Sequence, residues 1–256
     1  MGEIYETPWN VGDDDPRTFY HTIDVPGEKT QYGEWDLRKG VDAYLSDEPY
    51  RGRRVLEIGT ANGFVCFELE KRGAEVVSFD LAEGLSYDIV PGKDVDRDAA
   101  IQFHVPGIKA IKNAYWWAHQ RHRSQARVVY GHATRIPEEI GPVDCVFMGN
   151  VLQHMENPFA AVASAARLTQ SIVVTEAIWV TSPNLDDKPV AFFLPSIRKG
   201  KAPLEWCFSW WQVTPRLVRE WLEILGFRVV SQTEHKQFMR DTSSHVPHFT
   251  IRAERT

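Results

Sequence analysis

Two glycines four residues apart, Gly59 and Gly63, lie in the run VLEIGTANG (55–63), which passes from an apolar strand pattern through a turn into a helical pattern. Glycine lets a backbone approach a ligand where a Cβ would collide, and the amides at a helix start favour a carboxylate or phosphate. Thr60, inside the turn, is placed with the glycines among the ligand-facing residues. A dinucleotide fingerprint needs G-x-G-x-x-G, and its middle glycine position is Ala61 here, so that motif is broken. Seventeen residues beyond Gly63, Asp80 closes the next apolar run, where a carboxylate can accept from both hydroxyls of a ribose. An ordinary tight turn and a helix cap are the plainer readings. The ordered series of strand, glycine turn, helix, strand and acid favours the nucleoside site.

A second set of residues can move protons or wall a ring. Asn150, Gln153 and His154 follow the apolar run 143–148, at the edge where α/β folds place their ligands. Imidazole titrates near neutral pH, which makes His154 the leading candidate for a general base; a hydrogen bond that merely fixes the loop before Pro158 is the alternative. His21, beside Tyr20, and His104 are weaker candidates. Glu176 ends another apolar run and can contact a substrate or cap a helix. Trp35, Trp206, Trp210 and Trp211 can line a pocket for a ring-shaped substrate, against core or lid packing as the commoner fate of tryptophan. The stretch 108–123 interleaves basic and aromatic side chains as nucleic-acid surfaces do. Its apolar spacing also fits a helix with one packed face and one solvated basic face.

These residues need a scaffold, and the apolar runs supply one. Strands are expected at 53–58, 75–80, 127–130, 143–148 and 171–176, and helices at 63–72, 108–121 and 158–168. Their alternation predicts an α/β fold: a Rossmann-like, mostly parallel sheet with helices on both faces. A final helix is expected from Thr214-Pro215 to Gly226, and an antiparallel pair from 227–232 and 247–252. The chain then reads as one domain: an N-terminal cover (1–50), a ligand-binding core (51–177), an insertion over the site (178–212) carrying four tryptophans, and the closing helix and strand pair (213–256).

Composition narrows the classes. With 256 residues, 43% hydrophobic and 25% charged, the chain can bury a full core. Three dispersed cysteines suggest neither a disulfide framework nor a metal site, and no apolar run approaches a membrane span, so a cytoplasmic protein is expected. The net charge of −6 disfavours a nucleic-acid partner. Against that, no acidic residue falls between Asp98 and Glu138, while Lys109, Lys112, Arg121, Arg123, Arg127 and Arg135 do.

The segment from Glu57 to Gly63, an acid, a spacer, Gly, three residues and Gly, resembles the first motif of the class I methyltransferases. The resemblance implies S-adenosyl-L-methionine as cofactor, Glu57 ordering the loop near its methionine moiety, Gly59, Thr60 and Gly63 beside it, and Asp80 on its ribose. His132-Ala133 stands where that family commonly has an adenine-binding acid, and Asn150 joins the cofactor set. The segments 20–24 (YHTID), 33–38 (GEWDLR), 148–158 (MGNVLQHMENP), 192–196 (FFLPS) and 214–227 look like the tRNA wobble-uridine methyltransferase and carboxymethyltransferase group. The carboxymethyl branch has a tyrosine where this chain has Gln153, which favours the ordinary cofactor over its carboxylated relative.

The expected activity is O-methylation of a small hydroxylated molecule, such as a sugar or secondary metabolite. His154 is then the base, and Tyr20, His21, Trp35, Gln153, Trp206 and Trp210 meet the substrate. A tRNA methyltransferase is the alternative, and a non-catalytic cofactor-binding module a second one. No metal or membrane is implied.

Overall fold

A computed structural model describes residues 4–82, 84–93, 95–185, 187–197 and 208–256. Trp206 lies outside the described residues. At the centre are strands β2 (Arg54–Ile58), β3 (Glu75–Leu81), β4 (Arg127–Gly131), β5 (Val143–Gly149) and β6 (Thr169–Ala177), paired in parallel in the order β4-β3-β2-β5-β6. Their interiors are buried on both faces, so they read in sequence as unbroken apolar runs rather than alternating ones.

Beyond β6 the sheet continues through β10 (Ser244–Arg255) and β9 (Phe227–Met239), then β1 (Trp35–Asp36), each antiparallel to its neighbour. The closing pair is longer than the runs 227–232 and 247–252 because polar residues keep pairing out to the hairpin turn. A separate two-stranded sheet in the insertion joins β7 (Ala191–Phe193) to β8 (Trp211–Val213).

Helices cover both faces. Helices α1 (Val41–Leu45), α2 (Phe64–Lys71) and α3 (Arg97–His122) pack with Trp35, Tyr44, Phe67, Tyr115 and Trp116 on one side. On the other, α4 (Pro158–Ala166) and α6 (Pro215–Ile224) pack with Phe79, Met148, Leu222 and Phe249; the short α5 (Leu194–Ile197) belongs to the insertion. The caps are local. Asn157 Oδ1 accepts from Ala160 N at the start of α4, Thr214 Oγ1 accepts from Leu217 N at the start of α6, and both helices carry proline in the first turn. Among the described residues no helix is long and apolar enough to cross a membrane.

Helix α3 corrects the expected span of 108–121. It begins three turns earlier, capped by Asp96 on Ala99 N, and carries Pro106 in its interior. Pro106-Gly107 reads as a stop because proline lacks an amide and clashes with the preceding turn. The turns before it are held from outside: Ala100 and Ile101 pack with Ile89, Val95 and Phe208. The solvated basic face expected for this stretch is also incomplete. Lys112 is buried and donates to Leu81 O, and Tyr115, Trp116 and Trp117 are 1%, 1% and 4% exposed beneath the N-terminal segment.

Candidate functional site

Strand order reverses between β2 and β5, where α/β sheets open a crevice at the carboxyl ends of their strands. A cleft occupies that place. Ile58, Gly59 and Phe79 form its floor, Asp80 and Leu81 one side, Gly131 to Ala133 the far end, and Val151, His154 and Met155 the opposite wall.

The turn is shaped for close approach. Gly59 has φ +82°, and a Cβ there would sit 2.2 Å from Val151 Cγ1. Gly63 has φ +87°, and its Cβ would meet the Phe67 and Tyr115 rings. Ala61, at the position where a dinucleotide motif has glycine, is also left-handed at φ +48°. Asp80 Oδ2 accepts from Ala61 N (2.8 Å) and Oδ1 from Leu81 N (2.7 Å), which ties the end of β3 to the turn after β2. Burial raises the Asp80 carboxyl above its ordinary range, opposed by those amides.

Glu57 and Thr60 lie beneath the turn. Ser78 Oγ donates to Glu57 Oε2 (3.2 Å) and receives Thr60 Oγ1 and Tyr115 OH, each at 3.3 Å. Burial pushes Glu57 up to about 8 against these bonds. Thr60 is 2% exposed and points into this network.

His132 lines the cleft with both ring nitrogens engaged, Nδ1 to Thr134 Oγ1 (2.8 Å) and Nε2 to Asp88 Oδ1 (3.2 Å). Ala133 completes that end. The strap 84–93 crosses the mouth: Asp88 Oδ2 accepts from Glu156 N (2.8 Å), and Asp88 O accepts from Trp210 Nε1 (2.7 Å). Tyr87 of the same strap lies 5.9 Å from the His154 ring and 4.9 Å from Phe208.

His154 stands in a short 3-10 turn (Leu152–His154), and its Nδ1 lies 3.1 Å from Phe208 O. That turn starts on Glu176, whose Oε1 accepts from Val151 N (3.0 Å) and Leu152 N (2.9 Å), so of its two readings Glu176 takes the cap. Burial nevertheless pushes it up to about 8.

Across Gly59 from the cleft, the N-terminal segment closes over the sheet. Asn62 grips His21, accepting from its backbone N (2.7 Å) and donating to its carbonyl (3.1 Å), while Trp35 N donates to Tyr20 O (3.0 Å). Burial drives the His21 imidazole down to about 3, so it is neutral, and it holds the Tyr20 phenol far above its ordinary value with help from Glu34. Trp35 is fully buried against Trp179 (5.9 Å) and His248 (5.4 Å). Gln153 Oε1 accepts from Trp179 Nε1 (2.8 Å), Gln153 O accepts from Trp210 N (2.7 Å), and Asn150 sits at φ +54° beside His248.

The structure thus brings Gly59, Asp80, His132, Ala133 and His154 into one cleft and leaves Asn150, Gln153, Tyr20, His21, Trp35 and Trp210 outside its lining. Gly63, Glu57 and Thr60 support the turn from behind, and His104 packs on Tyr87 (5.6 Å) and Phe208 (4.9 Å). Sequence reasoning passed over Tyr87, Asp88, Asn62, Trp179 and His248. Only the aromatic and acid side by side in a loop after Asp80 hinted at the strap.

A family model for a methyltransferase domain matches residues 32–232. The chain belongs to that family. It is an S-adenosylmethionine-dependent methyltransferase. No curated protein matches its sequence. Among solved structures, this methyltransferase is similar to the N-terminal domain of EvdMO1 with SAH bound, at 14% identity, 94% of this chain and 92% of that one, and a TM-score of 0.57. It is also similar to a SAM-dependent methyltransferase from Methanosarcina mazei (16% identity, 86% and 98% coverage, TM-score 0.53). A third is magnesium protoporphyrin IX methyltransferase from Synechocystis PCC 6803, at 16% identity, 86% and 82% coverage and TM-score 0.50. At such identities these establish a shared fold.

The residues of this methyltransferase fit its cofactor. Gly59 and Asp80 both line the cleft, so the turn after β2 and the carboxylate at the end of β3 face one space, and Ile58, Leu81, Ala133 and Met155 supply apolar walls beside them.

Proposed function

We propose that this methyltransferase O-methylates a small hydroxylated molecule, with His154 as general base. The observation that carries this reading is His154 sharing the cleft with Gly59 and Asp80 while its Nδ1 faces a carbonyl. A carbonyl oxygen only accepts, so Nδ1 holds the proton of the neutral imidazole and Nε2 is the basic nitrogen.

In this reading Asp80 receives the ribose hydroxyls, and the turn 59–63 supports the chain running from ribose to methionine. Ala133 and the His132 ring, both of whose nitrogens are engaged, flank the adenine. Bound there, S-adenosylmethionine supplies an electrophilic methyl group on a sulfonium. The acceptor hydroxyl is held near His154 between Tyr87, Tyr20 and Trp179. His154 Nε2 would take its proton as the new O–C bond forms and the methyl–sulfur bond breaks, S-adenosylhomocysteine being the leaving group, and would later return that proton to solvent. Alignment by these walls contributes the remainder, since in-line displacement depends on near-attack geometry.

The smallness of the acceptor is supported by the aromatic residues of the basic stretch. Trp116 and Trp117 are buried, and Arg121 pairs with Glu28 (2.8 Å) and stacks on Trp117 (3.9 Å), so these rings do not offer a stacking platform for bases. The test is incubation with methyl-labelled S-adenosylmethionine and, separately, a panel of sugars and phenols or unmodified tRNA. Label in a small hydroxylated product is expected. Label confined to the tRNA would overturn the reading.

A further inference from the structure

Asn150 carries a buried amide oxygen with no hydrogen-bond partner among the described residues, although the residue is 4% exposed. Such a group is costly in the absence of a partner, and a native fold keeps one where something else completes it. The same residue holds a left-handed backbone at φ +54°, tolerated by asparagine and fixed by Asn150 N donating to Thr175 O (2.8 Å).

Which end of the amide faces the site is decided elsewhere, on β10. His248 is fully buried, stacked on His235 (5.6 Å, 17°) and edge-on to Trp35. Its Nδ1 lies 2.9 Å from Val246 O, which can only accept, so Nδ1 is protonated. Burial drives the imidazole down to about 4, leaving Nε2 with its lone pair at neutral pH. Nε2 lies 3.1 Å from Asn150 Nδ2, and the amide NH₂ must donate to it. Each choice forces the next, from the Val246 carbonyl to the direction of Asn150 Oδ1.

The oxygen so presented accepts only, and its ligand must donate. Register places Asn150 beside the glycine turn: Ile58 pairs with Met148, so the residues following β2 and β5 are neighbours. Val151 lines the cleft on one side of this junction, and Asn150 turns toward His248, which packs edge-on to Trp35, on the other. A ligand with its nucleoside in the cleft would have to carry its amino-acid end across Gly59 to reach this second side. We infer that His248 is a positioning residue which, through Asn150, presents an amide oxygen to the α-ammonium group of bound S-adenosylmethionine. This rests on the cofactor placement given above.

The experiment compares S-adenosylhomocysteine with its analogue lacking the α-amino group, by calorimetric titration of the full chain. The wild type should prefer the amino compound by about tenfold or more, the range of one hydrogen bond to a charged group. In His248→Phe the amide is free to turn, and the preference should shrink to about twofold or less. In His248→Phe with Asn150→Asp, an oxygen faces the site whichever way the group turns, and the preference should return. Preference retained in His248→Phe, or both ligands weakened by the same factor, overturns the inference and leaves His248 a packing residue. A wild type that binds both ligands equally overturns it without any substitution. Failure of the wild type to bind either one overturns the cofactor placement itself.

Discussion

His154 Nδ1 is 3.1 Å from the carbonyl oxygen of Phe208, a residue 54 positions later that belongs to the insertion over the site. The insertion therefore sets the tautomer of the candidate base. With an acceptor in hand, His154→Ala should lower turnover by about 10²–10⁴, the usual contribution of a general base. Affinity for S-adenosylhomocysteine should stay within about twofold, and a fall in turnover of less than tenfold would make His154 a loop-fixing residue.

Gly59→Ala tests the turn. Its Cβ would meet Val151 Cγ1 at 2.2 Å on a backbone of φ +82°, adding a steric clash to conformational strain. Denaturant titration should show a loss of about 1–3 kcal/mol, typical of overpacking. Adding Val151→Ala should recover only the steric part, because the left-handed backbone penalty remains.

Far from the cleft, Arg252 holds the C-terminal strand to the start of the core. Glu48, with a fully buried side chain, accepts from Arg252 Nε, from Arg53 Nη1 and from Ser171 Oγ (2.9 Å). Arg252→Met would leave a buried carboxylate short of its main partner and should cost about 3–5 kcal/mol. Unfolding curves should register this while affinity for S-adenosylhomocysteine is unchanged.

His235 gives a pH signature. It accepts from Gln237 Nε2 (3.0 Å), its Nε2 faces Thr250 Oγ1 (2.9 Å), and burial pushes it down to about 4. Below about pH 6.5 the unfolded chain takes up a proton here that the folded chain refuses, so the contribution is whole above 6.5 and drains away toward pH 4. The stability gap between wild type and His235→Phe should therefore narrow, or invert, over that window. A gap that stays constant from pH 7 to pH 4 would mean His235 is protonated in the fold.

The parallel core was legible because β2, β3, β5 and β6 are buried on both faces, and the glycine turn because Gly59 and Gly63 stand at fixed places between a strand and a helix. The long-range features were not. Nothing local says that Trp116 and Trp117 are covered by the N-terminal segment, so beside the favoured reading as a packed helix an RNA surface stayed open. Pro106 hid the first three turns of α3, whose support comes from Ile89 and Phe208. Thr60 looked like a ligand-facing residue, yet its hydroxyl turns inward to Ser78, an orientation that spacing does not encode. His248 is one polar residue in a strand, and its importance appears only through Asn150, 98 positions away.

The proposed placement puts the cofactor in the cleft with its ribose on Asp80. Calorimetric titration of S-adenosylhomocysteine into wild type and Asp80→Ala tests it most directly. One site is expected in the wild type, weakened in the variant by about 1.5–3 kcal/mol, or about 10–150-fold, for the loss of charge-assisted hydrogen bonds. Equal affinity in a folded Asp80→Ala protein would move the ribose away from Asp80.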